Sequence, residues 1–422
     1  MDKRFSSIYN LTEAEAIAIL DTPEEELSEN DSRYIAAAHL VNFPTTSAIN
    51  ALMRGVLRQG DTMANRIVRR KSVESLGRLR AREALALIRT CLKDEDTYLV
   101  ENAVWAIAEI GTSDQEILED VAKLLEKPGQ NSRVIIHTLT NLHYVPAQER
   151  IRQFVDDLDP NTASAAIAAV CLFTGDYAQI NKVVNTLQHP NVFARRLSIQ
   201  DLINIRYYDA IPQIARCPVS LVFRLRGIRM LAEAGISAGA ISFETIQPHL
   251  EQTLRDHPND LNLVHRYEQT PDLQTLIRTL SETDFGRCYL ACKTILECYP
   301  NSAPEELLRV YNQEADNDYG LHFHLIKLFG WLRYAPAYDV IIEALDNREP
   351  QFQKSRAAAA IALGELGDRR AIPVLKACLE SKIWDLKYAA LMALEQLGEV
   401  SDRELAASDE DWLIRKKVSV NL

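Results

Sequence analysis

Three side chains that can exchange protons follow one another closely in the C-terminal part of the chain: Asp318, Tyr319 and His322. If a helix begins here, Asp318 and His322 lie one turn apart on one face, with Tyr319 beside them. A carboxylate, a phenol and an imidazole would then converge on one ligand and move protons to or from it. The alternative is that Asp318 caps the helix and His322 is simply exposed, since Asp is a common capping residue.

A second candidate surface combines aromatic rings with hydrogen-bonding groups. Residues four and seven apart on a helix share a face, and one such stripe holds Tyr98, Asn102, Trp105 and Glu109. The two rings suit stacking on a flat conjugated ligand, and the amide and carboxylate suit hydrogen bonds to its edge. The alternative is that Trp105 packs between helices and the charged groups are solvated.

Charged residues occupy the equivalent stripe on other helices: Lys71, Glu74 and Arg78 on the preceding one, and Arg226, Arg229 and Glu233 on a later one. A further basic position recurs near helix starts, at Arg69, Arg195, Arg224, Arg356 and Lys387, and Gly320 replaces it in the segment after Asp318. This ladder could bind phosphate or propionate groups. We favour the alternative that its members pair with carboxylates of adjoining repeats.

The elements that must position these residues are repeated helices. Shifting the sequence by about 31 residues aligns apolar segments such as 72–80 and 103–111, and the pattern returns in roughly ten units. Each unit contains two amphipathic helical patterns, and neither can bury its apolar face alone. The sequence therefore predicts an all-α fold, an α-solenoid of about ten helical hairpins.

The periodicity fades in the middle of the chain, where prolines such as Pro248 interrupt it. We therefore expect an N-terminal repeat arm over residues 1–235, an irregular helical middle over 236–316 and a C-terminal repeat arm over 317–422. A superhelix that is curved or kinked in its middle would result.

Composition narrows the function classes. The chain has 422 residues, with 47 Lys and Arg against 59 Asp and Glu, and its net charge of -12 disfavours a nucleic-acid partner. Seven cysteines without a CxxC pair predict neither a disulfide framework nor a zinc site, which suits a reducing cytoplasm. No secretory signal and no apolar run of about 20 residues is visible, so we expect a cytoplasmic protein without membrane insertion.

Two segments carry a family resemblance. Residues 65–79 and 98–111, together with the opening segment 10–16, closely resemble the HEAT-repeat phycobilin lyases of cyanobacteria. More narrowly, they are similar to the single-chain branch directed at phycoerythrin. The string VENAVWAIAEIG at 100–111 is specific, whereas ALGELG at 362–367 is generic. The resemblance extends over nearly the whole chain and implies a HEAT-like solenoid.

The resemblance implies that the protein attaches phycoerythrobilin through a thioether to a cysteine of a phycoerythrin α or β subunit. Members of this branch either attach the bilin only or also isomerise it to phycourobilin, and both remain open here, as does the need for a helper lyase subunit. The bilin is the substrate, and no tightly bound cofactor is implied. The alternative class is a non-enzymatic HEAT-repeat scaffold or chaperone that binds protein partners in its concave groove.

The candidate residues acquire roles within this resemblance. We expect proton transfer from Asp318, Tyr319 and His322, which is a geometric hypothesis. The stripe formed by Tyr98, Asn102, Trp105 and Glu109, with Glu74 on the preceding helix, is the candidate bilin-binding surface. Arg226 and Arg229 are candidates for the two bilin propionates.

Overall fold

The computed structural model describes residues 11–29, 31–60, 62–399 and 406–419. Within these ranges all regular structure is helical and no β-strand occurs, which confirms the predicted all-α, HEAT-like solenoid fold. The chain divides into two compact units, Met1–Ile180 and Asn181–Leu422. Asn10, at the start of the opening segment, lies outside the described residues.

The first unit is built from helix pairs. Its helices are α1 (Glu13–Asp21), α2 (Arg33–His39), α3 (Thr46–Val56), α4 (Met63–Arg78), α5 (Leu85–Cys91), α6 (Thr97–Ile110), α7 (Gln115–Ala122), α8 (Ser132–Asn141), α9 (Gln148–Arg152) and α10 (Pro160–Thr174). The longer second helices of successive pairs, α4, α6, α8 and α10, pack side by side in chain order. Their apolar faces and the first helices enclose one continuous core.

In the first unit, the second helices α4, α6, α8 and α10 each begin at a polar capping residue. The side chains of Thr62, Asp96, Asn131 and Asp159 precede α4, α6, α8 and α10 and accept hydrogen bonds from backbone N–H groups of the first turn. Such caps satisfy donors that have no partner inside the helix. A capping residue therefore recurs with the repeat. It sets the first residue of each of these helices and so determines which later residues share a face.

The second unit continues the same plan. Its helices are α11 (Ile180–Thr186), α12 (Val192–Asn204), α13 (Ile211–Ala215), α14 (Leu221–Ser237), α15 (Phe243–Arg255), α16 (Leu273–Thr279), α17 (Phe285–Cys298), α18 (Ala303–Glu314), α19 (Tyr319–Trp331), α20 (Tyr338–Asp346), α21 (Gln353–Leu366), α22 (Ile372–Ala377), α23 (Trp384–Gln396) and α24 (Trp412–Ser419). The second helices α17, α19, α21 and α23 pack in sequence. The expected irregular middle lies within this unit: α15 contains Pro248, and no helix occupies 261–272. The division into three segments stays a prediction.

The last helix of the second unit returns to earlier helices of the same unit. Lys417 on α24 donates to Glu251 on α15 at 2.9 Å and to Glu395 on α23 at 2.8 Å, and its side chain is 3% exposed. Just before α24, Asp411 accepts from Arg229 on α14 at 2.7 Å. These ion pairs close the second unit through residues that lie far apart in the sequence.

The recurring basic position is structural, as we favoured. Arg69 pairs with Asp94 at 2.6 Å and Lys387 with Asp409 at 2.5 Å, while Arg195 pairs with Asp284 and Arg224 with Asp256. Arg356 instead donates to the Leu345 carbonyl at 2.8 Å. The pairs of Arg69, Arg224 and Lys387 tether a helix to the next repeat, whereas Arg195 reaches a carboxylate 89 residues further along the chain.

Candidate functional site

The predicted aromatic stripe lies on α6 of the first unit, beside α4. Tyr98 is 63% exposed, and the guanidinium of Arg70 on α4 lies 4.7 Å from its ring centroid. Asn102 donates from Nδ2 to the Arg70 carbonyl at 3.2 Å, and Glu109 is exposed. The structure therefore brings a ring, an amide and a carboxylate to one face of α6, and the ring is open to a ligand.

Trp105 is half-buried, so it is neither fully packed between helices nor fully open for stacking on a ligand. It packs against the core of the first unit. On α4, a Cβ atom added to Gly77 would lie 2.9 Å from the Trp105 ring, so the absence of a side chain there makes room for the indole. Trp105 thus wedges between α4 and α6 while part of its ring stays accessible.

Glu74 on α4 is already paired. Its carboxylate accepts from Lys71 at 2.5 Å and from Arg78 at 2.8 Å. Burial raises the pKa of Glu74, but the hydrogen bonds and charges of these two cations outweigh that effect and leave the pKa below its ordinary value. Arg78, whose side chain is 58% exposed, is the accessible cation of this cluster.

Asp318 in the second unit is the N-cap of α19. Its Oδ1 accepts from the backbone N–H groups of Gly320 and Leu321, both at 2.8 Å. The next residue, Tyr319, is 58% exposed. The carboxylate is therefore held at the start of α19, and the phenol beside it faces solvent.

His322 lies in the core, 1% exposed, and does not join Asp318 and Tyr319 on one surface. Its Nδ1 is 3.0 Å from Ser355 Oγ and its Nε2 is 3.1 Å from the Tyr311 hydroxyl. Burial lowers its pKa to about 4, so the imidazole is neutral near pH 7. The prediction that Asp318, Tyr319 and His322 converge on one ligand is therefore wrong. The alternative is correct that Asp318 caps the helix but wrong that His322 is exposed. The reason is that position 322 faces the neighbouring helices α18 and α21.

The two arginines predicted for propionates have different surroundings. Arg226 is exposed and donates to Gln200 Oε1 at 2.6 Å. Arg229 pairs with Asp411 at 2.7 Å, and its guanidinium lies 4.7 Å from the Trp384 ring centroid. Arg229 is thus neutralised within the second unit, while Arg226 keeps an accessible charge.

A cleft that sequence reasoning missed lies at the C-terminal ends of α19, α21 and α23. It encloses about 570 Å3 and is lined by Trp331, Glu365 and Met392 among others. The buried indole Nε1 of Trp331 has no hydrogen-bond partner among the residues described. Burial raises the pKa of Glu365 to about 7 against the opposing charges of Lys327 and Arg333. Glu365 stands in the ALGELG string, which is typical of any helical repeat and gives no signal of this environment.

Glu365→Gln is expected to change how stability depends on pH. The ordinary pKa of the side chain is 4.5, and its pKa in the folded protein is about 7. Between these two pH values the folded state binds more protons than the unfolded state. The contribution of Glu365 to stability therefore falls as pH rises from 4.5 to 7. The neutral Gln removes this loss. Urea unfolding should show the variant about 1 to 3 kcal/mol more stable than wild type at pH 8, and little difference at pH 4. A difference independent of pH would contradict the shifted carboxyl.

Most thiols of the protein are buried, which makes them poor nucleophiles. Six cysteines are buried and Cys298 is exposed. Burial raises the pKa of Cys171 and Cys378 to about 11 and of Cys217 and Cys288 to about 12. The described side chains form no His, Cys, Asp and Glu cluster that could hold a metal ion. No described helix is long and apolar enough to cross a bilayer.

Comparison with known proteins extends this picture. The HEAT-repeat family matches residues 57–140 and 338–420. The "Uncharacterized phycocyanin operon protein Y" of Pseudanabaena tenuis is 61% identical over 99% of both chains. The "Bilin biosynthesis protein CpeY" of a Synechococcus strain is 31% identical, covering 89% of this chain and 91% of its own. The "Phycocyanobilin lyase subunit alpha" of Synechococcus elongatus is 30% identical over 49% of this chain and 80% of its own. With this repeat fold and relatives that match along nearly its whole length, the chain belongs to the HEAT-repeat, E/F-type phycobilin lyase family.

Proposed function

We propose that the protein attaches phycoerythrobilin through a thioether to a cysteine of a phycoerythrin subunit. The observation that carries this proposal is the similarity, over 89% of the chain, to a protein named for bilin biosynthesis. A second relative is named as a subunit of a phycocyanobilin lyase, which supports lyase chemistry. The buried thiols of the chain agree with an acceptor protein that supplies the reacting sulfur.

The proposed reaction adds a thiol across the exocyclic double bond of the bilin's ethylidene group. The sulfur–carbon bond forms at the ethylidene carbon, and a proton ends on the adjacent ring carbon, so no oxidant or reductant is consumed. The protein must hold a flexible pigment, supply the proton and present one carbon to one thiolate. Isomerisation to phycourobilin would need one more proton removal and return.

We assign the proton traffic to the start of α19. Asp318 is fixed there by two backbone hydrogen bonds, and Tyr319 presents its hydroxyl to solvent. His322 is neutral and buried, so in this proposal it positions α19 through Tyr311 and Ser355 and does not contact the bilin.

The first unit carries an alternative surface for the conjugated pigment in this proposal. Tyr98 and the accessible part of Trp105 would stack on it, while Asn102, Glu74 and Glu109 would meet its polar edge. Arg226 is a candidate for a propionate of a pigment that binds to the second unit alone. These assignments are independent of the proton-transfer assignment and are tested separately.

Tyr98→Ala is expected to weaken bilin binding by about 1 to 2 kcal/mol, because it removes a large exposed ring. Fluorescence titration with phycoerythrobilin measures the effect. Unfolding stability should change by less than about 1 kcal/mol, since the ring is mostly exposed. Tyr98→Phe, which keeps the ring, is the matched control and should bind as wild type does. Equal affinities for the Ala and Phe variants would remove Tyr98 from the binding surface.

Mixing purified protein with phycoerythrobilin tests the proposed function against the scaffold alternative. The proposal predicts a bound chromophore with a red-shifted absorption band. A HEAT-repeat scaffold or chaperone for protein partners would leave the spectrum of the free bilin unchanged.

A further inference from the structure

Lys354, near the start of α21, lies among three aromatic rings. Its Nζ is 4.3 Å from the ring centroid of Phe285, 4.9 Å from that of Phe323 and 5.0 Å from that of Tyr319. No described residue accepts a hydrogen bond from this ammonium or pairs with it as a carboxylate. Ring faces attract a cation but provide no oxygen for its three N–H donors. Lys354 therefore keeps its hydrogen-bonding capacity for another group.

Arg196 on α12 has a comparable environment. Its guanidinium carbon lies 4.9 Å from the ring centroid of Phe223 and 5.8 Å from that of Phe193. It donates once, from Nη2 to the Thr283 carbonyl at 3.2 Å, and its buried Nε has no partner in the described part of the chain. The nearby carboxylate of Asp284 is occupied by other groups, since it accepts from Arg195 and lies 3.0 Å from His265 Nε2.

Several shielded cations of the second unit have a carboxylate of their own, whereas the buried Lys327 donates to the backbone carbonyls of Leu254 and Arg255. The pairs are Arg224 with Asp256, Arg229 with Asp411, Lys387 with Asp409 and Lys417 with Glu251. Taking a cation out of water is costly unless an anion compensates. Carboxylates of Asp256 and Asp318 act on Lys354 through their charge, and Asp284 acts on Arg196, but none of them forms an ion pair with either cation. Each cation can therefore take an anionic partner from outside the described chain.

The start of α17 lies beside both cations. Arg196 donates to the carbonyl of Thr283, two residues before Phe285, and Lys354 lies over the rings of Phe285 and Tyr319. Tyr319 is 58% exposed and Phe193 is 62% exposed, so apolar ring surface is open to solvent next to each charge. The arrangement offers two cations and two rings at one accessible part of the second unit.

We propose that Lys354 and Arg196 bind the two carboxylates of a flat, conjugated dicarboxylate, whose body lies against Tyr319 and Phe193. Cations suit the carboxylates through charge-assisted hydrogen bonds, and the rings suit a conjugated body. The inference rests on the proposed function, in which this ligand is a bilin with two propionates. It replaces Arg226 and Arg229 as the candidates for the two propionates and places the pigment at the part of the second unit that holds Asp318 and Tyr319.

Titrating the full-length protein with phycoerythrobilin and with its dimethyl ester tests this site. Wild type should bind the free acid more tightly than the ester by about tenfold per carboxylate contact. Lys354→Met and Arg196→Gln should each reduce affinity for the acid about tenfold and leave affinity for the ester unchanged. Lys354→Arg should retain most of the affinity for the acid. Lys293→Met, which removes a lysine paired at the surface with Glu297, is the control and should change neither affinity.

The outcomes separate this inference from the proposed function. Equal binding of acid and ester by wild type, or unchanged affinity for the acid in both charge variants, would overturn the site and leave bilin binding intact. Failure of wild type to bind either form would contradict the proposed function itself. The comparison of acid and ester on wild type needs no variant, so poor folding of a variant cannot obscure the result.

Discussion

Replacing Asp318 by Asn is expected to slow bilin attachment by about 100-fold or more while the fold stays intact. The structure makes this substitution selective. The Asp318 carboxylate caps α19 through the N–H groups of Gly320 and Leu321, and Asn caps a helix about as well as Asp. The change therefore removes the anionic base but keeps the cap.

Single-turnover attachment to a phycoerythrin subunit measures this effect, with the unfolding midpoint as the check on folding. Asp272→Asn is the matched control, because Asp272 caps α16 by accepting from the Thr275 N–H at 2.9 Å and lies outside the proposed site. An Asp318→Asn protein that attaches the normal chromophore at the normal rate would leave Asp318 as a helix cap and nothing more.

Asp256→Asn is expected to destabilise the second unit by about 3 to 5 kcal/mol, because it leaves a buried arginine without its counter-charge. Arg224 and Asp256 are each 1% exposed and paired, and the Tyr289 hydroxyl donates to Asp256 at 2.9 Å. Burial lowers the pKa of Arg224, but the attraction of Asp256 outweighs it and leaves that pKa raised. Asp256 also has a left-handed φ of 56°, which Asn tolerates, so backbone strain is not introduced.

Urea unfolding followed by circular dichroism measures this loss. Asp368→Asn provides the contrast, since Asp368 pairs with Arg370 at 2.6 Å on the surface, where an ion pair contributes little. The surface variant should lose less than about 1 kcal/mol. Similar losses in both variants would show that burial does not set the strength of the Arg224–Asp256 pair.

The sequence predicts the repeat architecture well because similar apolar patterns recur from one helical hairpin to the next. An apolar stripe in every second helix, and a capping residue before many of them, indicate where the helix starts and which face is buried. The exposed position of Tyr98 follows from that local geometry. The sequence also indicates that basic residues such as Arg69 pair with carboxylates of adjoining repeats, and the structure identifies the partner as Asp94.

Side chains whose surroundings come from distant helices were not predictable in this way. His322 is buried because Tyr311 and Ser355 close over it, and Arg229 is neutralised by Asp411, 182 residues further along the chain. The aromatic surroundings of Lys354 likewise come from α17 and α19. No periodic pattern in a single helix reports which residues of other helices will face it.

Coexpression with a phycoerythrin subunit and phycoerythrobilin tests the central claim most directly. The account predicts a subunit that carries the bilin on a cysteine, seen as the added mass on one peptide and as a bilin absorption band that survives denaturation. The position of that band distinguishes phycoerythrobilin from phycourobilin and so decides whether isomerisation accompanies attachment. A subunit with no more covalent bilin than in cells lacking this protein would contradict the account.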